Sequence, residues 1–383
     1  MKSPHLTELS FKPPLGGSLQ TRTDNTAADR LFSRFALRRV TNSRRQRGLK
    51  DMKPENRVLV LTKEEIESVL TIEDTIEVVE EGFKAFNSGR AVVPFPVALQ
   101  VPDHNGDIHI KPGYIKGYDT YTVKIASGFY DNPKLNLPTS HGMLLLFDSK
   151  TGFPLCFEVD RCYLTDLRTA AAGAVAARAL SKKSVSKVAV IGTGTQARLQ
   201  IEALSKVRKF DELRVWGRNP ERVKQYVADM KKILNAKIVA ARTAEEAVVG
   251  SEIVVTATMT SSPLVKAAWI GKGTHITAMG SDSPEKQELE TAVLAKADKI
   301  VVDSLKQCAG LGEVHHALSD GTIAEKDIHA ELGEVLLGKK KGRESDDEIT
   351  ICDLTGIAVQ DVVTSQLVYE RALKKKIGTY VSV

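Results

Sequence analysis

The sequence predicts an α/β protein with two sheets, and three observations lead to that prediction. Between residues 187 and 303, short and continuously apolar runs alternate with helical stretches, as in a parallel sheet covered on both faces. Between residues 92 and 159, short β-prone runs are broken by turn residues, which favours a mostly antiparallel sheet. The length of 383 residues suits two domains, because single hydrophobic cores stop growing well below that size.

The first 52 residues differ in charge from the rest of the chain. They hold 11 Lys and Arg against 4 Asp and Glu, so the remainder is close to neutral although the whole chain carries +6. The Arg-rich stretch 29–47 is typical of an organellar transit peptide. Two other interpretations are that the segment is a disordered basic tail, or that translation starts at Met52 and bypasses it. We expect a mitochondrial or plastid location if this basic extension is a transit peptide, and a cytoplasmic location otherwise.

Composition argues against several classes of protein. No apolar run approaches the roughly 20 residues of a membrane span, and a nearly neutral body lacks the basic surface of a nucleic-acid-binding protein. The four cysteines and eight histidines show neither a disulfide framework nor a metal-ligand spacing. We therefore expect no membrane, no nucleic acid, no metal and reduced thiols.

Helices flank both predicted sheets. After a strand at 58–61, Thr62 and Glu65 form a capping box, and a second helix starts at Thr71 and stops at Gly89. Thr165 introduces an Ala-rich helix that should pack closely against another backbone, and residues 356–376 form a helix with a wide apolar stripe. We expect residues 55–165 and 310–383 to form one domain, and residues 166–309 to form the central one.

A glycine-rich turn follows the first strand of the central domain. The run Gly192 to Ala197 has the form G-x-G-x-x-A between the apolar strand KVAVI and a helix, which is the context of a dinucleotide-binding turn. Gly192 permits the turn, Gly194 lets a diphosphate approach, and a bare structural turn is the alternative. The predicted cofactor contacts from this turn and from the ends of later strands are Gly192, Thr193, Gly194, Thr195, Gln196, Ala197, Thr256, Thr258, Met279 and Gly280.

The end of the next strand bears on the choice of cofactor. NAD enzymes usually carry an acidic residue there for the ribose 2′-hydroxyl, but this chain reads VWGRNPER. Arg218, Asn219 and Arg222 favour a 2′-phosphate, so NADP(H) is preferred among the NAD(P) cofactors. A surface role for the arginines and dual specificity remain alternatives.

Five side chains outside the glycine turn are candidates for substrate chemistry. Arg168, placed by the pattern in the first turn of its helix, could bind a carboxylate, and pairing with Asp166 or Glu158 is the alternative. Lys124, on a predicted strand, could polarise a carbonyl or imine or simply reach solvent.

His109 and Lys111 would line one face of a neighbouring strand, with the same two interpretations. Asp282 follows a parallel strand at its carboxyl end, where ligands bind, and could transfer a proton; alternatively it caps a helix that begins at DSPEKQEL.

Four motifs together resemble the ornithine cyclodeaminase and mu-crystallin family, which includes archaeal-type alanine dehydrogenases and ketimine reductases. They are YLTDLRTAAAGAVAA, VAVIGTGTQARLQIEAL, THITAMGSDSPEKQEL and ITICDLTGIAVQDVVTSQLVYERAL, and the resemblance covers about residues 55–383. It implies a homodimer with a central Rossmann domain and a discontinuous α+β dimerisation and substrate domain built from both chain ends. It also implies that Arg168 holds the substrate carboxylate, Lys124 contacts substrate and Asp282 transfers a proton.

The sequence also departs from parts of that family. His109 stands where ornithine cyclodeaminases place an acid, and PFPVALQ lacks a cation found in alanine dehydrogenases. Both departures favour other imino or amino acids as substrates, including ones with a second anionic group. The expected function is hydride transfer between NAD(P) and the α-carbon of a small imino or amino acid; the alternatives are a cyclodeaminase that releases ammonia and a non-enzymatic binding protein.

Overall fold

The computed structural model describes residues 57–382, so the prediction for the basic extension lies outside the described residues. The elements of the first half follow one another as expected, with capping boxes at Thr62 and Thr71. They are β1 (Arg57–Thr62), α1 (Lys63–Glu67), α2 (Ile72–Asn87), β2 (Ala91–Val92), β3 (Val97–Val101), β4 (Gly106–Ile115), β5 (Thr120–Phe129), β6 (Ser140–Asp148), β7 (Pro154–Val159) and α3 (Tyr163–Leu180).

The second half alternates strands and helices before a long helix closes the chain. Its elements are β8 (Lys187–Ile191), α4 (Thr195–Val207), β9 (Glu212–Trp216), α5 (Pro220–Met230), β10 (Lys237–Ala240), α6 (Ala244–Val248), β11 (Ile253–Thr256), β12 (His275–Ala278), α7 (Thr291–Ala295), β13 (Lys299–Val302), α8 (Leu305–Cys308), α9 (Gly312–Ser319), β14 (Ile328–Glu331), α10 (Leu332–Leu336), β15 (Thr350–Asp353), α11 (Ala358–Lys375) and β16 (Thr379–Ser382).

The first sheet has the strand order β16-β1-β7-β6-β5-β4-β2, with β3 paired to β4. Every pairing in it is antiparallel except that of β1 with β7, so the prediction for residues 92–159 is confirmed. Its inner face carries buried side chains such as Leu144 and Leu146, which belong to one core with α2, α3 and α11. This face therefore holds α11 against the middle of the sheet, where two lysines lie.

The second sheet has the order β10-β9-β8-β11-β12-β15-β13-β14, and every pairing is parallel. The chain moves from β8 outward to β10, then returns to β11 on the other side of β8. Ligands of doubly wound sheets bind at such a reversal, outside the carboxyl ends of the strands. The predicted α/β class with a doubly wound domain is confirmed, and the reversal places its crevice between β8 and β11.

The predicted boundary at residue 310 needs correction. Strands β14 and β15 lie within the second sheet, with β15 between β12 and β13, although both fall in the stretch assigned to the other domain. β15 has only four residues and follows a charged loop, so its pattern did not stand out as a strand of the parallel sheet. Only α11 and β16 return to the first sheet, where β16 pairs with β1.

The outer face of the first sheet is apolar and only partly covered. Ile110, Ile125 and Met143 lie opposite one another across β4, β5 and β6 on this face. Nine large apolar side chains of this sheet and its loops are exposed: Val92, Phe95, Val97, Leu99, Leu135, Leu137, Met143, Phe153 and Val381. Among residues 57–382, no helix is long and apolar enough to cross a membrane.

Candidate active site and cofactor site

The glycine turn has the geometry of a diphosphate site. Gly192 has a φ of +127°, and a Cβ there would lie 2.4 Å from the Ala257 carbonyl oxygen, so only glycine suits this position. Gly194 is exposed, faces open space and precedes α4, whose first N–H groups donate to no capping side chain. The residues present therefore fit a dinucleotide whose diphosphate is bound by helix N–H groups.

Helix α3 joins the glycine turn to the substrate side. The Gln196 Nε2 donates to Asp166 Oδ1 at 2.9 Å, and the Gln200 Nε2 donates to the Thr169 carbonyl oxygen at 2.9 Å. Both glutamines belong to α4, so the start of α4 is fixed against the start of α3. Since α3 also carries Arg168, the turn and the guanidinium are held in one rigid arrangement.

The end of β9 presents cations and no acid. Arg218 and Arg222 are exposed, and neither has an ion-pair partner among residues 57–382. Asn219 has a local structural role, because its side chain accepts the Arg222 N–H at 3.1 Å and caps α5. The two arginines thus remain available for a phosphate, whereas Asn219 already has a partner.

A buried cation cluster lies where the first sheet meets α3 and α11. It consists of Lys111, Lys124 and Arg168, with Asp361 as the carboxylate between them. The Lys124 Nζ lies 3.1 Å from Asp361 Oδ2, and the Arg168 Nε lies 3.0 Å from Asp361 Oδ1. The Arg168 Nη1 also donates to the Gln360 Oε1. One carboxylate therefore orients both the lysine ammonium and the guanidinium.

The lysines of the cluster come from adjacent strands. Lys111 of β4 lies directly opposite Lys124 of β5, and its Nζ donates to the Gly356 carbonyl oxygen at 2.7 Å. Gly356 has a φ of +83°, and a Cβ there would lie 2.8 Å from the Arg168 Nη1, so the loop approaches the guanidinium closely. The Asp303 carboxylate, which accepts the Gly356 N–H at 2.6 Å, holds this loop in place.

Burial and mutual repulsion shift the pKa values of this cluster. Burial and the Arg168 charge lower the pKa of Lys124 from 10.5 to about 7, against the opposing effect of Asp361. The same two causes lower the pKa of Lys111. Burial alone would raise the pKa of Asp361, but Arg168 and the two lysines outweigh it and lower the value. Asp361 is therefore ionised at neutral pH, where Lys124 can gain or lose a proton.

The cavity between the two domains has a volume of about 180 Å³. It joins the cation cluster to the cofactor side, since Lys111 and Arg168 line it together with Gln196 and Met279. Its other lining residues are Thr165, Asp166, Thr169, Ala172, Asp282, Leu354, Thr355, Gly356 and Gln360. A small anionic molecule of amino-acid size fits these walls and this charge.

Asp282 also lines this cavity, with about half of its side chain (54%) exposed. Its Oδ1 lies 2.6 Å from the Lys286 Nζ, and this ammonium, with Lys111 and His109, lowers the pKa of Asp282 although burial opposes the shift. The alternative prediction that Asp282 caps a helix is wrong, because residues 281–290 contain no helix. Asp282 is free of a capping role and carries its charge at the cavity.

The remaining predictions divide into residues that line the cavity and residues that do not. Lys124 lies outside the set of lining residues, with only 2% of its side chain exposed and its Nζ beside Asp361. His109 lies on β4 with its Nε2 3.8 Å from Asp107 Oδ2, outside the set of lining residues. Arg168 is the sixth residue of α3, so its predicted place in the first turn is wrong, because α3 begins at Tyr163.

Sequence reasoning missed Asp361 and Gln360, and expected Asp166 or Glu158 as partners of Arg168. The Glu158 carboxylate instead accepts the Ser365 hydroxyl, and that of Asp166 accepts Gln196. The available signal was the acid at position 361 within the apolar stripe of α11, since an ionised side chain is rarely buried without a partner.

The doubly wound sheet, its glycine turn and the cation-lined cavity define a two-domain α/β protein whose residues fit a dinucleotide beside a small anion. The chain belongs to the ornithine cyclodeaminase/mu-crystallin family, whose family model matches residues 56–376, and the predicted resemblance is confirmed.

Solved structures of similar proteins cover nearly the whole described chain. An archaeal alanine dehydrogenase dimer with bound NAD is 40% identical, over 85% of this chain and 99% of that chain, with a TM-score of 0.80. The Δ1-pyrroline-2-carboxylate reductase of Thermococcus litoralis, in complex with NADH and L-proline, is 36% identical. The match covers 85% of this chain and 100% of that chain, with a TM-score of 0.81. The iminosuccinate reductase of Paracoccus denitrificans, in complex with NAD+, is 30% identical over 85% of this chain and 100% of that chain, with a TM-score of 0.77.

Proposed function

We propose that this protein is an NAD(P)-dependent oxidoreductase that acts on the C=N group of a small imino acid or the CH–NH group of the corresponding amino acid. The observation that carries the proposal is the cavity in which Arg168 and Lys111 face the same space as Gln196 of the glycine turn. The similarity to reductases and dehydrogenases of imino and amino acids supports it.

Arg168 binds the substrate carboxylate in this proposal. Its Nε lies 3.0 Å from Asp361 Oδ1 and its Nη1 donates to Gln360, so these two contacts orient the guanidinium beside the cavity that it lines. Lys111, whose Nζ is fixed by a single carbonyl, supplies a second positive charge. Charge-assisted hydrogen bonds of this kind orient a carboxylate and hold the adjacent α-carbon in one place.

Asp282 balances the charge at the substrate nitrogen. Its lowered pKa keeps it ionised at neutral pH, so it stabilises an iminium or ammonium and accepts a proton when an amine is oxidised. Lys124, whose pKa is lowered to about 7, can gain or lose a proton beside the ionised Asp361 and thereby change the charge beside Arg168. The dinucleotide, when bound, supplies or accepts the hydride.

The test is a spectrophotometric panel with NADH and NADPH in parallel. Cyclic imino acids, and 2-oxo acids with ammonia or methylamine, are offered as substrates, and ornithine is offered with NAD⁺. Steady oxidation of the reduced cofactor with an imino acid supports the proposal. Ammonia release from ornithine without net cofactor turnover would instead identify a cyclodeaminase, and tight cofactor binding with no turnover on the whole panel would identify a binding protein.

NADP(H) is the preferred cofactor in this proposal. The exposed Arg218 and Arg222 can bind a 2′-phosphate, and residues 217–219 contain no acid to hold a 2′-hydroxyl. The similar structures described above contain NAD or NADH, so a lower Kd for NADPH than for NADH would separate this chain from them.

A homodimer formed through the outer face of the first sheet completes the proposal. That face carries Ile110, Ile125 and Met143 in register, with further exposed apolar side chains around it. An apolar surface of this kind is typical of protein interfaces. Sedimentation equilibrium is expected to give a dimer mass for the natural chain and a monomer mass for Ile125→Arg.

A further inference from the structure

Behind the cofactor crevice, one glutamate side chain contacts the loops that follow two adjacent parallel strands. The Glu288 Oε1 accepts the Thr258 N–H at 2.6 Å and the Thr258 hydroxyl at 2.7 Å, and its Oε2 accepts the Gly280 N–H at 2.8 Å. Thr258 follows β11 and Gly280 follows β12, at the carboxyl edge of the sheet. The Glu288 side chain is fully buried, so these three donors satisfy it in place of water.

The two loops and the carboxylate are packed without free space. A Cβ at position 280 would lie 2.3 Å from the Thr258 carbonyl oxygen and 2.4 Å from Glu288 Oε2. A side chain of any size at this position would push the loops apart. The distance between the β11 loop and the β12 loop is therefore set by the glutamate and by the absence of a side chain at Gly280.

Two further buried carboxylates connect this point to the substrate cavity. The Glu313 carboxylate accepts the Glu288 N–H at 2.7 Å and the Leu289 N–H at 3.0 Å. The next residue of α9, Val314, donates its N–H to Asp353 Oδ2 at 2.9 Å. Asp353 ends β15 and is followed directly by the cavity-lining residues 354–356. We call Glu288, Glu313 and Asp353 the carboxylate series.

The carboxylate series is held by hydrogen-bond donors rather than by cations. Within residues 57–382, none of its three members forms a salt bridge with Lys or Arg, and each is at most 1% exposed. Removing an acceptor oxygen of one member therefore leaves N–H groups that have no other acceptor. For Glu288, those N–H groups belong to the loops that receive the cofactor.

We propose that Glu288 is a positioning residue for the dinucleotide: it fixes the loops after β11 and β12 at the spacing that the bound cofactor requires, without contacting the cofactor itself. The inference rests on the proposed function, because it assigns these loops to the cofactor. The carboxylate series extends the same support to the substrate loop, so the two binding sites share one buried frame.

The test compares Glu288→Gln with a matched buried glutamate, Glu158→Gln, in the full chain. Glu158 of β7 is also fully buried, but its carboxylate accepts the hydroxyl of Ser365 on α11, and β7 is remote in sequence from the cofactor loops. The Kd values for NADH and NADPH are measured by fluorescence titration, together with the KM for the imino acid and the melting temperature.

In Glu288→Gln an amide nitrogen faces a backbone N–H, so at least one loop must move. We expect the Kd and KM for the reduced cofactor to rise about tenfold or more, while the KM for the imino acid changes less than about twofold. Glu158→Gln is expected to lower the melting temperature with no change in the Kd for the cofactor.

A Glu288→Gln protein that binds cofactor with the natural Kd overturns the proposal, even if it melts earlier. Should this variant fail to fold, Glu288→Asp serves instead, because its shorter side chain keeps the carboxyl group but cannot reach both loops. If Glu288→Asp binds the cofactor with the Kd of the natural protein, the proposal is overturned in the same way. Failure of the natural protein to bind either cofactor is a different result, which refutes the proposed function.

Discussion

The cation cluster and the carboxylate series bury ionisable groups in two different ways. In the cation cluster, Asp361 lies between Lys124 and Arg168, and opposite charges compensate one another at distances near 3 Å. In the carboxylate series, Glu288 and its neighbours accept backbone N–H groups and have no cationic partner among the described residues. The first arrangement leaves positive charge facing a cavity, whereas the second holds loops in place without presenting charge.

The pKa shifts of the two regions run in opposite directions. In the cation cluster the pKa of Asp361 is lowered, because the effect of neighbouring cations exceeds that of burial. In the carboxylate series burial dominates and raises the pKa of Glu288 to about 7 and that of Asp353 to about 8. Ion pairing therefore suits a site that must bind an anion, whereas N–H donors suit a site that only has to keep its loops in position.

The largest effect is expected from Asp361→Asn, which leaves Lys124 and Arg168 buried without their counterion. Removing one partner of a buried ion pair costs roughly 3–5 kcal/mol, so urea unfolding should show a loss of that size in the free energy of unfolding. Adding Lys124→Met should restore part of it, because one uncompensated charge is then gone.

The control for that variant is Glu67→Gln, which breaks an exposed pair 3.4 Å long with Lys63. Exposed pairs contribute about 1 kcal/mol or less, so this change should be close to neutral. Equal losses in the two variants would show that Asp361 does not compensate the cluster.

The second effect is on catalysis. Arg168→Ala removes the carboxylate-binding group, and we expect kcat/KM to fall about tenfold to a hundredfold, because hydrogen bonds to charged groups contribute roughly 1.5–3 kcal/mol. Arg178→Ala is the matched control, since Arg178 lies on the same helix but pairs with Glu77 at the surface. Steady-state kinetics that do not distinguish the two variants would refute the assignment of Arg168.

The third effect concerns the cofactor. The double variant Arg218→Ala, Arg222→Ala should raise the Kd for NADPH about tenfold, with little change for NADH, because only NADPH carries the 2′-phosphate. Arg242→Ala removes an exposed arginine of the loop after β10 that pairs with Glu246, and should leave both Kd values unchanged. An equal rise in the Kd for NADH and in the Kd for NADPH would show that the two arginines do not recognise the 2′-phosphate.

The fourth effect is on the pH dependence of stability, where the two regions should act in opposite directions. The pKa of Asp353 is raised from 3.8 in the unfolded chain to about 8 in the folded chain. Between these two pH values the folded chain binds more protons than the unfolded chain, so the contribution of Asp353 to the free energy of unfolding falls as pH rises. Between pH values of about 7 and 10.5, Lys124 is protonated only in the unfolded chain. The contribution of Lys124 to the free energy of unfolding therefore rises with pH in this range.

Urea unfolding across these ranges separates the two contributions. Asp353→Asn should flatten the fall in unfolding free energy on the acidic side, and Lys124→Met should flatten the rise on the alkaline side. Slopes that neither variant changes would contradict the charge states assigned to both regions.

The sequence predicted the parts of the site that short segments encode. The glycine turn, its strand and its helix lie within one run of residues, so their spacing alone indicated the dinucleotide site. The capping boxes at Thr62 and Thr71 are equally local and were confirmed.

The parts that were missed depend on contacts between distant segments. Asp361 meets Lys124 and Arg168 only after α11 packs on the first sheet, and no local pattern links residues about two hundred positions apart. The place of β15 in the second sheet likewise follows from its pairing with β12 and β13 rather than from its four residues. Asp282 was ambiguous because a Pro-containing loop and a helix start share the same residue types.

The central claim is that Arg168 receives a carboxylate beside a dinucleotide bound at the Gly192 turn. The most direct measurement is a crystal structure of the protein with NADPH and an amino acid such as L-proline. We expect the diphosphate at the N-terminus of α4 and the amino-acid carboxylate within hydrogen-bond distance of the Arg168 guanidinium, with the nicotinamide ring beside it. A cofactor bound away from the glycine turn, or an amino acid that does not contact Arg168, would contradict the account.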